Sequence, residues 1–135
     1  MRERDRRQKG VSIRNTTRSS IGGSRVVFSK IAEEVLPGWD ISLVFVGTKR
    51  ARSLNKKLRG KTYIPNVLSY ALPQKSGEII ICPHEAERQA PAYALSKRNF
   101  ILYLFIHGIL HIKGWAHSGK MEKCEKYLLA RFAKG

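Results

Sequence analysis

The sequence predicts an α+β fold in a single compact domain, with a mixed sheet of about four strands packed against a central histidine-bearing helix and flanking helices. Two observations predict this class. Short runs of β-branched and aromatic residues alternate with helical segments in the early part of the chain, and only helical segments follow them. The chain has 135 residues, enough for one domain to bury about two-thirds of its unfolded surface.

Four apolar runs between turn residues are the predicted strands. They comprise residues 11–17, 41–46, 66–72 and 78–82. The residues before the first strand are highly charged and show no apolar pattern, so residues 1–10 are expected to be a flexible basic arm. Residues 11–135 then form the single domain.

Helix starts are predicted from side chains whose oxygens accept hydrogen bonds from a first helical turn. The expected N-caps are Ser24, Thr48, Ser96 and Ser118. The helices that follow them are expected to cover residues 25–36, 49–58, 97–113 and 119–133. A short helix begins at His84 and is interrupted by Pro91, and Gly114 ends the third long helix. Apolar spacing predicts core positions at Ala51, Leu54, Leu58, Met121, Tyr127, Leu128 and Phe132.

The charge of the chain is strongly unbalanced. There are 26 Lys and Arg residues and 10 Asp and Glu residues, which gives a net charge of +16 and a pI near 10.4. A domain of this charge is attracted to polyanions, so nucleic acid is the first candidate partner. An anionic membrane surface is the weaker alternative, because no basic amphipathic helix stands out.

Three features favour a cytoplasmic protein that does not enter a membrane. The segment MRERDRRQKG lacks the apolar stretch of a signal peptide. The longest apolar run, residues 100–112, has 13 residues and two histidines, whereas a membrane-spanning helix needs about 20 residues. Cys82 and Cys124 are too few and too far apart for a disulfide framework.

Three of the four histidines lie in the sequence HGILHIKGWAH, residues 107–117. On a helix, His107 and His111 are one turn apart, so both rings can reach one metal ion at about 2.0–2.1 Å. Gly114 lets the chain turn back, so His117 can supply a third ligand. Three protein ligands with a fourth position open to water are typical of catalytic sites. The alternative is a pair of core histidines satisfied by backbone carbonyls.

The spacing differs from the HExxH motif of metalloproteases, because Gly108 stands where that motif has its general base. Gly108 is expected to serve packing or the close approach of another segment. His84 and Cys82 are weaker ligand candidates, since residues near a strand end are more often turn and core positions.

HGILHIKGWAH resembles the H-G-x-L-H-x-x-G-x-D-H signature of the YbeY family, bacterial metal-dependent endoribonucleases that mature ribosomal RNA. RSLNKKLRGKTYIPNVLSY is similar to the family's LN-x-x-(Y/F)-R-G-K-D-x-x-T-NVLSF segment, and SGEIIIC is similar to its GDI-x-I strand. The sequence MEKCE matches the family's Met and Glu on the last helix. The resemblance covers roughly residues 40 to 133.

The resemblance implies an α+β domain whose histidine-bearing helix packs on a four-stranded sheet. It implies one zinc ion, or a similar divalent ion, held by His107, His111 and His117. It also gives a catalytic role to the arginine of the R-G-K segment, which is Arg59 here. Ribosomal RNA and the ribosome are the implied partners, and no small-molecule cofactor is expected.

The sequence departs from the family pattern at three positions. Ala116 replaces the acid before the third histidine, Thr62 replaces the Asp after R-G-K, and Pro65 replaces the Thr before N-V-L-S. The loss of the acid at position 116 removes a partner or proton acceptor near the metal. The general base of the reaction is therefore unassigned.

Seven basic residues and no acidic residue lie between positions 49 and 61. Six of them are expected to contact the RNA backbone: Lys49, Arg50, Arg52, Lys56, Lys57 and Lys61. Arg59 is distinguished from them, because a planar guanidinium beside the metal can hold two phosphate oxygens at once.

Four further residues are candidates for contact with the substrate. Asn66 and Ser69 are expected to fix the strand beside the site and to line a groove. Tyr63 and Trp115 either stack on unpaired bases or pack in the core.

Taken together, these features predict a metal-dependent endoribonuclease that cleaves single-stranded RNA during ribosomal RNA maturation. The alternative is a non-catalytic RNA- or ribosome-binding module with a structural metal, which Ala116 and the high charge favour. A metalloprotease is a weaker alternative, because its general base is missing and the charge does not suit a peptide cleft.

Overall fold

The computed structural model describes residues 10–21 and 25–133. The strands are β1 (Gly10–Asn15), β2 (Asp40–Phe45), β3 (Val67–Leu72) and β4 (Ser76–Ile81). The α-helices are α1 (Arg25–Val35), α2 (Thr48–Arg59), α3 (Pro83–Gln89), α4 (Lys97–Lys113) and α5 (Gly119–Phe132). A 3-10 turn, Ala90–Tyr93, follows α3. None of these helices is long and apolar enough to cross a membrane.

The four strands form one mixed sheet in the order β1-β2-β4-β3. Strands β1, β2 and β4 are parallel neighbours, whereas β3 is antiparallel to β4. The turn between β3 and β4 holds Gln74 and Lys75 at positive φ, as a tight connection requires. The predicted fold class is confirmed, and the strand boundaries differ from the predicted ones by one or two residues.

The two faces of the sheet are covered differently, because alternate side chains of each strand point to opposite faces. Leu43 of β2 and Ile79 of β4 are fully buried in the larger core, which α1, α4 and α5 complete. Val44 and Ile80 point to the other face and pack in a smaller core beneath α2. Helix α4 has ten buried residues and is the central element of the larger core.

Two predicted helix starts are confirmed. The Ser96 hydroxyl accepts a hydrogen bond from the Asn99 N–H, and the Ser118 hydroxyl accepts one from the Met121 N–H. The prediction for Thr48 is wrong: Gly47 is the N-cap of α2, and no side chain caps that end. Ser24 and residues 1–9 of the expected basic arm lie outside the described residues.

Two predicted core positions are also wrong. Leu58 is 46% exposed and Tyr127 is 59% exposed. In α2 the buried inner position belongs to Asn55, whose side-chain amide donates a hydrogen bond to the Tyr63 carbonyl. The apolar spacing of α2 misses this position because Asn55 is polar and is satisfied by a loop that lies later in the chain.

A side chain at Gly77 is expected to crowd its neighbours and to destabilise the fold. A Cβ there would lie 2.9 Å from Ile112 Cδ1 and 3.2 Å from the Tyr70 carbonyl oxygen. Gly77→Ala should lower the free energy of unfolding by about 1–3 kcal/mol, because it overpacks the contact between α4 and the sheet. Gly119→Ala is the matched control, since a Cβ there meets open space. Equal thermal or urea unfolding of the two variants would contradict the close approach.

Candidate metal centre and its flanking cavities

The candidate site begins with two histidines near the C-terminal end of α4. His107 and His111 lie one turn apart, and their ring centroids are 4.5 Å apart. Between them Gly108 faces the sheet, where a Cβ would lie 3.2–3.3 Å from three side-chain atoms of Ile79. The expected packing role of Gly108 is confirmed, because the missing side chain lets α4 lie close to β4.

A short loop brings the third histidine back to this end of the helix. Gly114 ends α4 in the left-handed conformation, with φ of 105°, and the Trp115 N–H bonds to the Leu110 carbonyl at 3.1 Å. Ser118 then caps α5. The loop is therefore anchored at both ends, and His117 lies between the two anchors.

The three imidazoles have the geometry of a shared metal site. The ring centroids of His117 lie 4.9 Å from those of His107 and 4.7 Å from those of His111, so the rings form a nearly equilateral triangle. The ligand atoms all lie within 4.8 Å of one another. His111 Nε2 and His117 Nε2 are 3.2 Å apart, and nitrogens bound tetrahedrally to one ion at 2.0–2.1 Å are about 3.4 Å apart. This donor set fits a divalent transition metal ion.

Glu125 of α5 contacts the Nδ1 edge of the His107 ring. Its Oε2 lies 2.5 Å from His107 Nδ1, and the residue is only 3% exposed. An ionised carboxylate only accepts hydrogen bonds, so Nδ1 carries the hydrogen and Nε2 keeps its lone pair for the ion. Carboxylate–histidine–metal triads use this arrangement to fix the ring and its tautomer. The sequence analysis did not assign this role to Glu125. The feature that pointed to it was the last residue of MEKCE, which matches a glutamate of the YbeY family pattern.

Tyr103 completes the support of Glu125. Its hydroxyl donates to Glu125 Oε1 at 3.4 Å. Burial and then the nearby Glu125 carboxylate raise the pKa of Tyr103 to about 12, so the hydroxyl stays protonated near neutral pH. Both oxygens of the carboxylate therefore have a partner.

The surroundings of His111 favour the neutral form of its ring. Desolvation, followed by the proximity of His107 and His117, lowers the pKa of His111 below its ordinary value. A neutral imidazole is the form that binds a metal, because the coordinating nitrogen must be unprotonated.

Arg59 lies at the end of α2 and faces the same cavity as the histidines. That cavity, here called the basic cavity, has a volume of about 520 Å³ and is lined by Leu58, Arg59, Asn66, Val67, Leu68, Ser69, Tyr70, His107, His111 and His117. Arg59 Nη1 donates to Asn55 Oδ1 at 3.3 Å and to the Tyr63 hydroxyl at 3.2 Å. Since both bonds use Nη1, the opposite edge of the guanidinium is the one available to a phosphate.

A second cavity of about 520 Å³ lies on the other side of the histidines. This aromatic cavity is lined by Tyr93, Phe100, Tyr103, Leu104, Ser118, Met121, Glu122 and Glu125, together with four residues shared with the basic cavity. The shared residues are Asn66, Val67, His107 and His117. The histidine cluster therefore stands between two recesses of different chemistry.

A third recess, the outer groove, adjoins the basic cavity. It is lined by Arg14, Thr16, Val44, Val46, Arg50, Leu54, Lys57, Leu58, Tyr70, Glu78 and Ile80. Leu58 and Tyr70 line both the outer groove and the basic cavity, so the two are neighbours. The outer groove therefore has three cations, Arg14, Arg50 and Lys57, and one carboxylate, Glu78, which accepts a hydrogen bond from the Tyr70 hydroxyl.

The structure distributes the other predicted site residues among several roles. Asn66 and Ser69 line the basic cavity, as expected. Tyr63 supports Arg59, with the guanidinium carbon 6.0 Å from its ring centroid, whereas Trp115 packs on the larger core. Cys82 is buried in the smaller core and takes no part in the histidine cluster.

The six expected phosphate contacts are all exposed but do not share one cavity. They are Lys49, Arg50, Arg52, Lys56, Lys57 and Lys61. Arg50 and Lys57 line the outer groove, whereas Arg52 Nε donates to the Thr62 carbonyl at 2.8 Å. Arg14 of β1 also lines the outer groove, and sequence reasoning missed it because it lies far from the basic helix in the chain.

Comparison with known proteins identifies the family. The family model described as Endoribonuclease YbeY matches residues 5–132. The chain belongs to the YbeY family. It is 35% identical over 80 residues to Endoribonuclease YbeY of Bdellovibrio bacteriovorus, covering 58% of this chain and 53% of that protein. It is 32% identical over 120 residues to the Geobacillus kaustophilus protein of the same name, covering 74% and 77%.

A solved structure has the same fold as this YbeY family member. The solution structure of TM1509 from Thermotoga maritima matches with a TM-score of 0.65 and 22% identity, covering 90% of this chain and 88% of that one. At this identity the likeness concerns the fold. The chain spans about half the length of the Bdellovibrio relative, since the match covers 53% of it.

The Glu125 contact predicts how metal affinity responds to mutation. Glu125→Ala frees the His107 ring and should weaken metal binding about 10- to 100-fold, as the loss of such outer partners does in other proteins. Glu125→Gln should fall between it and the wild type, because an amide oxygen still accepts from Nδ1. Competition titration against a chromophoric chelator measures the affinity, with His111→Ala as the reference for a lost ligand.

The matched control for this prediction is Glu122→Gln, which removes an exposed charge three residues away on the same helix. It should leave metal affinity unchanged. Equal affinity in Glu125→Ala and the wild type would show that His107 needs no support from α5.

Proposed function

We propose that this protein is a metal-dependent endoribonuclease that cleaves single-stranded RNA during ribosomal RNA maturation. The observation that carries the proposal is that one solvent-open cavity joins three imidazoles, arranged to share an ion, to a guanidinium with a free edge. Membership of a family whose model is described as Endoribonuclease YbeY supports the same activity. The proposal includes zinc as the ion and His107, His111 and His117 as its ligands.

The bound ion would supply Lewis acidity and a water molecule of lowered pKa at neutral pH. Each residue of the chain then has a separate task. His107, His111 and His117 hold the ion, and Glu125 keeps the His107 ring in the orientation that binding requires. Three protein ligands leave a coordination position for solvent or substrate, as catalytic zinc sites do.

Arg59 is proposed to bind the phosphate that is cleaved. Asn55 is fully buried and accepts from Arg59 Nη1, so the guanidinium is fixed before the substrate arrives. A fixed donor contributes most where charge develops in the transition state, because it costs no reorganisation at that moment. Neither Gly108 nor Ala116 has a side chain that accepts a proton, so an acid–base role cannot be assigned to these two positions.

The remaining cations are proposed to hold the RNA backbone. The outer groove adjoins the basic cavity through Leu58 and Tyr70, so a strand that leaves the metal site on that side would meet Arg50, Lys57 and Arg14. The net charge of +16 favours such a polyanion over a peptide substrate. Ribosomal RNA and the ribosome in the cytoplasm are the proposed partners, and residues 11–135 are the proposed functional domain.

Arg59→Lys is expected to act on the chemical step. Lysine keeps the charge but cannot place two donors on two phosphate oxygens, so single-turnover cleavage should fall about 100-fold while RNA affinity changes little. Cleavage of a labelled single-stranded RNA by the zinc-loaded protein and equilibrium binding of the same strand give the two readouts. A chelator should abolish the cleavage, and added zinc should restore it.

Arg50→Lys is the matched control, because Arg50 is exposed on the same helix and lines the outer groove instead. It should leave single-turnover cleavage unchanged. If Arg59→Lys is equally silent, Arg59 is only a phosphate anchor. If the wild type shows no metal-dependent cleavage, the alternative of a non-catalytic RNA-binding module with a structural metal replaces the enzyme.

RNA binding by the outer groove should depend steeply on salt. Each neutralised phosphate of a single strand contributes about 0.7 to the slope of log affinity against log salt, so Lys57→Ala should lower the slope by about that amount. Lys56→Ala is expected to behave in the same way. Lys30→Ala on α1, which packs on the opposite face of the sheet, is the control and should leave the slope unchanged. An unchanged slope in Lys57→Ala would locate the RNA surface elsewhere.

A further inference from the structure

The aromatic cavity has no role in the proposed chemistry, although it touches the metal site directly. His107 and His117 line it, and its far wall is made of Tyr93, Phe100 and Tyr103. A cavity that shares two histidines with the metal site is adjacent to whatever phosphate is bound there. Its chemistry therefore decides what the neighbouring part of the substrate must be.

In the aromatic wall, the Tyr93 ring packs against other aromatic rings on one side and is exposed on the other. Tyr93 is 54% exposed, although its ring centroid is only 4.7 Å from that of the fully buried Phe100. Tyr103 lies 5.9 Å from Phe100 and 6.1 Å from Tyr93. One side of the Tyr93 ring is thus held by packed aromatics, and the remaining surface is available to a flat ligand.

The backbone also fixes Tyr93 at the rim. The residue ends a 3-10 turn, and Ala94 follows it in the left-handed conformation with φ of 56°. The Ala94 N–H bonds to the Pro91 carbonyl at 3.0 Å, and the Leu95 N–H bonds to the Ala90 carbonyl at 3.2 Å. This turn fixes the backbone position from which the Tyr93 ring projects toward the aromatic cavity.

The charges of the aromatic cavity distinguish it from the basic cavity. Its carboxylates are Glu122, which is exposed, and Glu125, which is buried against His107. The basic cavity has Arg59, and the outer groove has three further cations and one carboxylate, Glu78. A phosphate is repelled from the carboxylates and attracted to the cations, so the aromatic cavity suits an uncharged, flat group with N–H donors.

We infer that the aromatic cavity is a nucleobase subsite, in which the base next to the phosphate at the metal site stacks on Tyr93 and presents its polar edge to Glu122. This rests on the proposed function, because the neighbouring phosphate is the one held by the metal and Arg59. Base–aromatic stacking is the usual way in which proteins grip single-stranded RNA without reading a duplex. The subsite would also explain a preference for unpaired RNA, since a paired base cannot leave its stack to enter the cavity.

The test combines substitution of Tyr93 with removal of the bases from the RNA strand, so that the effect of each change is measured with and without the other. Binding of a short single-stranded RNA and of an abasic strand with the same sugar–phosphate backbone is measured by fluorescence anisotropy with the zinc-loaded full chain. Strand integrity is checked on a gel. Tyr93→Ala should weaken binding of the normal strand roughly 5- to 100-fold and leave the abasic strand unaffected. Tyr93→Phe should bind both strands as the wild type does, because it keeps the ring.

The matched control is Tyr127→Ala, which removes another exposed tyrosine on α5. It should affect neither strand, and thermal unfolding checks that each variant is folded. Three outcomes overturn the subsite. If the wild type binds both strands and Tyr93→Ala changes neither, the subsite fails while the proposed function stands. If Tyr93→Ala weakens both strands equally, the residue has a structural role only. If the wild type binds neither strand, the subsite and the proposed function fail together.

Discussion

The contact between Gly108 and Ile79 sets the distance between the central helix and the sheet, and the site depends on that distance. Ile79 is fully buried, and three of its atoms occupy the space that a side chain at position 108 would need. Because most of the surface of α4 packs in the larger core, its position along and around its own axis is fixed by packing. The positions of His107 and His111 are therefore fixed as well, and the loop after Gly114 has only to bring His117 close to them.

The support of the site comes from elements that are distant in the chain. Glu125 of α5 orients His107, and Asn55 of α2 fixes Arg59. Both are nearly or fully buried polar groups, which are tolerated because their hydrogen bonds are made. A family member that lacks the acid before the third histidine still holds a carboxylate against the cluster, because Glu125 reaches it from another helix.

The histidine cluster also separates two electrostatic environments. Arg59 is the charged residue of the basic cavity apart from the histidines, and the outer groove has three cations and one carboxylate, Glu78, whereas the charged residues of the aromatic cavity are Glu122 and Glu125. A nucleic acid strand has the same division, with charge on the backbone and flat uncharged rings beside it. Under the proposed function, this distribution of charge would orient a strand across the site without contacts that depend on the base sequence.

The sequence by itself determined the fold class, most element boundaries and the identity of the three histidines, because hydrophobic period, caps and i,i+4 spacing are local properties. Ser96 and Ser118 cap the starts of α4 and α5, and Gly114 ends α4, where local chemistry requires it. Tertiary structure alone decided that Asn55 is the buried polar residue of α2 and that Glu125 is the carboxylate facing His107. It also decided that Tyr93 lines the aromatic cavity and that Arg14 lines the outer groove. These contacts join residues far apart in the chain, and a pattern that repeats over a few residues carries no information about partners that meet only when the sheet and helices pack.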